Sequence, residues 1–239
     1  MNAENHRTLK LGSREISYTF WPAEKPAAPL LLILHGHSKK PAASRYRNPA
    51  YNVLCPIDNF GYEGWGSWYL GEHGDHFWLD AISKLIKLHQ DSPDIFFCGS
   101  SMGGYGAILH GILNEAKAVY ANIPQTLLLG SSYSDGGMKK FFEPIFAPNE
   151  PSRFNNLTEI LTPELPTSFI LSGIRWDKPR YIEEQTLPFI QRLCELKINF
   201  QSEIHFGEGH QLTYTVAESI DLFSKYAAEI DSFYEKAKL

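Results

Sequence analysis

Apolar positions along this chain fall into two alternating kinds of pattern. Short unbroken apolar runs of strand length give way to longer stretches with apolar residues at helical spacing. Leu9 to Leu11 and Glu15 to Trp21 flank Gly12-Ser13 and read as an opening hairpin. A continuous apolar run follows at Pro29 to Leu34, and further strands are predicted at Tyr51 to Pro56, Ile95 to Cys98, Ala118 to Ile123, Thr167 to Leu171 and Ile198 to Phe206. Runs without alternation suit strands covered on both faces of a parallel sheet. Between them, Phe77 to His89 places Leu79, Ile82, Leu85, Ile86 and Leu88 at helical spacing, and Asp91-Ser92-Pro93 stops it. Further helices are predicted from Ser101 to about Leu113, over Tyr181 to Leu196, and over Thr213 to Lys236. Strands alternating with helices predict an α/β fold: a mostly parallel central sheet, an N-terminal antiparallel hairpin and helices on both faces. The 239 residues fit one domain, residues 1–239. Residues 124–165 break the rhythm with prolines, Gly136-Gly137 and an apolar patch from Met138 to Phe146, and read as an irregular connection or a small lid.

In such sheets the functional site lies off the carboxyl ends of the strands. The run Phe96-Phe97-Cys98-Gly99-Ser100-Ser101-Met102-Gly103-Gly104 ends a strand in G-x-S-x-G and starts a helix at once. That context is the one the nucleophile elbow requires: glycines two residues either side remove Cβ atoms that would clash, and the helix aims its N-terminal amides at the serine. Ser101 is the candidate nucleophile. His35 and His37, Asp58, Asp177 and His210 also follow strand ends. A serine hydroxyl needs an adjacent base, which makes His210 the candidate general base and Asp177 the group that fixes its tautomer. Asp135 competes for the second role, and Asp177 could instead pair with Arg175 or Lys178. The backbone amides of Met102 and His37 are the expected oxyanion donors.

Composition is that of a globular protein, 43% hydrophobic and 21% charged. The net charge of −5 and the lack of a basic stripe argue against nucleic acid as a partner. No apolar stretch is long enough for a membrane span, and the Met1-to-Arg7 start has no apolar core of a secretory signal. Cys55, Cys98 and Cys194 are sparse and odd in number, which points to free thiols in a reducing, cytoplasmic compartment. His73, Asp75, His76 and Asp80 cluster but lack metal-ligand spacing; Asp75 reads as a helix cap, and no metal or cofactor is expected. Oligomeric state is not encoded in any pattern here.

With Gly-Ser-Ser-Met-Gly-Gly-Tyr-Gly-Ala and the order Ser101, Asp177, His210, the chain resembles the α/β-hydrolase superfamily over about residues 8–236. The elbow is similar to that of the esterase-D and feruloyl-esterase-like branch. Gly66-Ser67-Trp68-Tyr69-Leu70-Gly71, the elbow and Ile123-Pro124-Gln125 also resemble bacterial surface-polysaccharide hydrolase-like proteins. The resemblance implies an α/β-hydrolase fold and a serine esterase cleaving a small or carbohydrate-linked acyl ester. Trp65, Trp68, Tyr69 and Trp176 are the candidate substrate contacts, with core packing as the alternative for each ring. Tyr133, Phe141, Phe142 and Phe146 suggest an apolar lid. The same triad would serve acyl transfer, thioester cleavage or peptide hydrolysis, and a non-catalytic binding module is the remaining alternative.

Overall fold

The computed structural model describes residues 5–148 and 152–237. Its centre is a sheet of eight strands in the order β1-β2-β4-β3-β5-β6-β7-β8. These are β1 (His6–Leu11), β2 (Arg14–Trp21), β3 (Leu30–Leu34), β4 (Asn52–Pro56), β5 (Ile95–Ser100), β6 (Ala118–Asn122), β7 (Ser168–Trp176) and β8 (Phe200–Glu208). β1 pairs antiparallel with β2, and β2 antiparallel with β4; every later pairing is parallel. The chain runs from β3 outward to β4, then crosses back over β3 to β5. The crevice between the carboxyl ends of β3 and β5 is therefore the topological switch point.

The unbroken apolar runs are explained by burial on two sides. Leu30, Leu32 and Leu34 of β3 point into one core cluster, and Leu31 and Ile33 into a second. The larger cluster is closed by α1 (Phe77–His89), α2 (Met102–Leu113) and α4 (Leu187–Leu196). The smaller is closed by Ile220 and Phe223 of the long final helix α5 (Val216–Ala237). Asp75 accepts hydrogen bonds from the N–H groups of Phe77 and Glu72, at 3.1 and 3.0 Å, and so ties down the start of α1. Residues 124–165 are not irregular throughout. They hold a π-helical turn, Ser134–Met138, the short α3 (Lys139–Phe142) and single 3₁₀ turns. Phe141, Phe142 and Phe146 of this segment are buried in the larger core. β7 runs further than predicted, through Gly173 to Trp176, because its outer end pairs with the equally extended β8. Among the described residues, Cys55, Cys98 and Cys194 are free thiols, and no helix is long and apolar enough to cross a membrane.

His110 of α2 lies wholly inside the larger core, with Nε2 2.7 Å from the Tyr69 carbonyl. Burial pulls its pKa from 6.5 down to about 4, against the hydrogen bond to Tyr69, which favours the charged form. The unfolded chain binds this proton near 6.5 and the folded chain only near 4. The stability held by neutral His110 is whole above that upper value and drains away as pH falls, by about 3 kcal/mol at the lower one. Urea unfolding of His110→Gln, whose amide nitrogen reaches the same carbonyl, is expected to show a shallower loss of midpoint with acid than the parent protein.

Candidate active site

β5 delivers Ser101 at the switch point, and α2 begins on the next residue. Ser101 sits at φ 54°, ψ −118°, a region that L-residues enter only when their surroundings force them. The forcing groups are the two glycines of the motif. A Cβ on Gly99 would collide with the Gly103 carbonyl, and a Cβ on Gly103 with the backbone oxygens of Leu34 and His35. Helix α2 can therefore press against β3 and β5 only if both residues are glycine. The Ser101 N–H donates to the Asn122 carbonyl at 2.9 Å, which fixes the tip of the turn to β6.

His210 follows β8 in a Gly-x-Gly-His turn, and Asp177 is the first residue past β7. The N–H of Gly209 donates to the Trp176 carbonyl at 2.8 Å, so the two loops are joined by their backbones. His210 Nε2 lies 2.7 Å from Ser101 Oγ. His210 Nδ1 lies 2.8 Å from each Asp177 carboxylate oxygen. Asp177 is sealed from solvent, whereas His210 keeps 17% of its side chain exposed. A carboxylate only accepts, so Nδ1 carries the imidazole proton and Nε2 is left to accept from the serine hydroxyl. This is the arrangement in which a serine gives up its proton as it attacks. Asp135 lies exposed in the 134–138 turn, and Arg175 pairs with Glu183 at 3.3 Å rather than with Asp177. Tyr133 and Tyr181 flank the imidazole with ring centroids at 5.7 and 5.3 Å. Burial, helped by the Asp177 charge, pushes the Tyr133 phenol up to about 12 and keeps it protonated.

The loop after β3 is held from behind. His35 Nε2 accepts from the Asp58 N–H at 2.9 Å, and its Nδ1 reaches the Gly36 carbonyl at 2.8 Å. The His35 N–H donates to the Tyr69 hydroxyl at 2.9 Å. Burial lowers the His35 pKa, which matches a ring that accepts on one nitrogen and donates from the other. Asp58 is fully buried, and its carboxylate accepts from Phe60 N–H, Ser67 N–H, the Ser67 hydroxyl and Tyr69 N–H. Its position after a strand reflects loop construction. His37 stacks on Trp65 at 4.8 Å and meets the edge of Phe141 at 4.5 Å; burial, then the neighbouring His35, hold it near a pKa of about 4 and hence neutral.

No protein-family model and no curated relative matches the chain. Solved structures do. The capsule O-acetyltransferase of Neisseria meningitidis serogroup A, as an H228A mutant in complex with CoA, superposes with TM-score 0.66 at 17% identity, covering 96% of both chains. An S-formylglutathione hydrolase from Agrobacterium tumefaciens gives 0.70 at 15% identity, over 95% of this chain and 97% of that one. An acylaminoacyl peptidase from Pyrococcus horikoshii gives 0.67 at 17%, over 96% of this chain but 41% of the other. The chain has the α/β-hydrolase fold.

On that fold the structure brings Ser101, His210 and Asp177 together, with Met102 as the first residue of α2 and His37 on the loop after β3. Two of the four aromatic candidates are corrected. Trp68 and Tyr69 are completely buried, so neither ring offers a face to a substrate. Tyr69 anchors the β3 loop from behind, and the Trp68 indole donates to Gln125 Oε1 at 3.0 Å. Trp65 is half-buried against His37, and Trp176 is exposed and packs edge-on against Phe206. Sequence reasoning missed Gln125, whose amide nitrogen lies 3.2 Å from Ser101 Oγ. The signal was available: Gln125 stands three residues beyond β6, off the same carboxyl edge.

Gly103→Ala is expected to lower stability by about 3 kcal/mol, because the obstruction is backbone on both sides. Gly136→Ala, with open space around its Cβ, is the control and should unfold within about 0.5 kcal/mol of the parent in denaturant.

Proposed function

We propose that the protein is a serine esterase that cleaves small or carbohydrate-linked acyl esters through an acyl-enzyme. The observation that carries this reading is the unbroken line from Asp177 through His210 to Ser101, with hydrogen-bond distances of 2.8 and 2.7 Å. Ser101 Oγ attacks the ester carbonyl carbon as its proton passes to His210 Nε2, and the carbonyl electron pair moves onto oxygen. Asp177 holds the imidazolium that results. The oxyanion is met by the Met102 N–H, which opens α2 and has no partner within that helix. The His37 N–H is the second donor. The Gly36 carbonyl turns toward His35 Nδ1, and a planar trans peptide sends the His37 N–H the opposite way. Each such donor contributes about 3 kcal/mol to transition-state stabilisation. Collapse expels the alcohol, which takes the proton from His210. Water then attacks the acyl-enzyme, gives its proton to His210, and Ser101 Oγ leaves and recovers it.

Trp65 and Trp176 remain as aromatic contacts for substrate, one beside the β3 loop and one beside Asp177. With Trp68 and Tyr69 withdrawn into the core, the aromatic surface is modest, which suits a short acyl group on a polar carrier. Three free thiols fit a cytoplasmic setting. A second reading, transfer of the acyl group to an alcohol, draws support from the end-to-end superposition on a capsule O-acetyltransferase.

Ser101→Ala and His210→Ala should each lower kcat/KM on p-nitrophenyl acetate by about 10⁵-fold with unchanged melting temperature. A fluorophosphonate should label the parent at Ser101; a folded parent that takes no label sinks the reading. Acetate and butyrate esters should outpace decanoate, and rates that climb with chain length would point to lipids instead. Product analysis with added sugar separates the two readings: free acid alone means hydrolysis, and acylated sugar means transfer.

A further inference from the structure

Gln125 is a fully buried polar side chain in contact with the proposed nucleophile, and the mechanism above gives it no task. Its orientation is settled by its neighbours. The Trp68 indole can only donate, and it faces Gln125 Oε1 at 3.0 Å. Gln125 Nε2 must then supply both remaining contacts, to the Tyr181 hydroxyl at 2.8 Å and to Ser101 Oγ at 3.2 Å. Tyr181 completes the pattern by donating its own proton to the Ile123 carbonyl at 2.9 Å. No flip of the amide satisfies all of these partners. The loop that carries Gln125 is itself held under strain: Ile123, a β-branched residue, sits at φ 43°, fixed by its N–H to the Ser172 carbonyl at 2.7 Å.

We infer that Gln125 is a catalytic hydrogen-bond donor to Ser101 Oγ, fixing where the serine proton points and stabilising the oxygen when it carries charge. The inference rests on the assignment of Ser101 as nucleophile. A hydroxyl oxygen has four roughly tetrahedral directions. One holds Cβ, one points its hydrogen at His210, and one accepts from Gln125. The fourth is the lone pair left for the carbonyl carbon. Because Gln125 occupies an acceptor position, the serine proton has His210 as its acceptor and cannot turn away from it. The amide keeps both of its protons throughout. It donates to Oγ while the proton leaves for His210, and again in deacylation, when Oγ departs from the acyl carbon before His210 returns the proton.

The test is the rate of fluorophosphonate labelling at Ser101 across a pH series, with thermal melts to verify folding. Gln125→Met keeps length but removes the donor, and its labelling should slow by about 10- to 100-fold. Gln125→Glu keeps the acceptor for Trp68. Protonated, it can donate to Ser101; ionised, it can only accept and draws the serine proton away from His210. Its rate relative to the parent should therefore recover as pH falls. Folded variants that both label within about twofold of the parent at every pH overturn the inference. A Gln125→Glu ratio that is low but flat with pH also overturns it, since a packing defect does not titrate. Should Gln125→Met fail to fold, the pH dependence of Gln125→Glu decides alone. A parent that takes no label overturns the nucleophile assignment and this inference together, whereas a labelled parent with unaffected variants overturns the inference alone.

Discussion

The close approach of α2 to the ends of β3 and β5 is the constraint on which the rest of the structure depends. Gly99 and Gly103 let backbone meet backbone where any side chain would intrude. The energetic cost appears at Ser101, held at φ 54° by its neighbours on both sides. Three things follow from this one contact. The hydroxyl stands clear of the sheet, the first amides of α2 face the same space, and the His35–His37 loop is drawn against the elbow because Gly103 packs on the Leu34 and His35 carbonyls. Deep burial of β3, β5 and β6, whose residues are nearly all inaccessible, supplies the rigidity that makes such strain sustainable.

A second order is imposed by hydrogen-bond polarity. At one end of the network stands the Trp68 indole, which can only donate; at the other stands the Asp177 carboxylate, which can only accept. Gln125, Ser101 and His210 lie between them, and each must donate away from tryptophan and toward aspartate. A chain of ambivalent groups would have two directions of nearly equal energy. Fixed ends leave one, and that one delivers an unprotonated Nε2 to the serine. The Asn122 carbonyl joins in from below through the Ser101 N–H, so the same β6 exit supports Ser101 by its backbone and by Gln125.

The sheet, the elbow and the meeting of Ser101 with His210 and Asp177 were legible in sequence because each leaves a local signature. Unbroken apolar runs mark doubly covered strands, and glycines at fixed offsets mark the turn. Strand ends mark the rim of the site. What stayed hidden depends on contacts distant in sequence. For Trp68 and Tyr69 the sequence leaves substrate contact and core packing both open, since nothing nearby reveals that the buried Asp58 carboxylate winds residues 60–69 inward, taking N–H donors from Phe60, Ser67 and Tyr69. The 124–165 segment hides its order in the same way: its rings are buried by distant parts of the core and not by helical periodicity of its own. Gln125 was concealed because an amide carries no charge and belongs to no spacing rule; its meaning comes from partners 57, 56 and 24 residues away.

The two sides of the site differ in how firmly they are held, and the difference suits their tasks. Ser101 follows β5 directly, and β5 with its neighbours β3 and β6 is deeply buried. His210 rides a short turn after β8, an edge strand whose residues alternate between half-buried and exposed. Gly207, near the end of β8, and Gly209, just before His210, take φ values of 158° and 80°, and the backbone link to Trp176 and the paired Asp177 restrain the turn. A nucleophile and an oxyanion site act through fixed geometry, because preorganised dipoles lose their advantage when they must move. Under the proposed mechanism His210 has the opposite requirement: its Nε2 serves Ser101 Oγ at one moment and the leaving or attacking oxygen at the next. The fold builds Ser101 into the core and hangs the imidazole from the edge, with the buried Asp177 carboxylate against Nδ1 to set its tautomer.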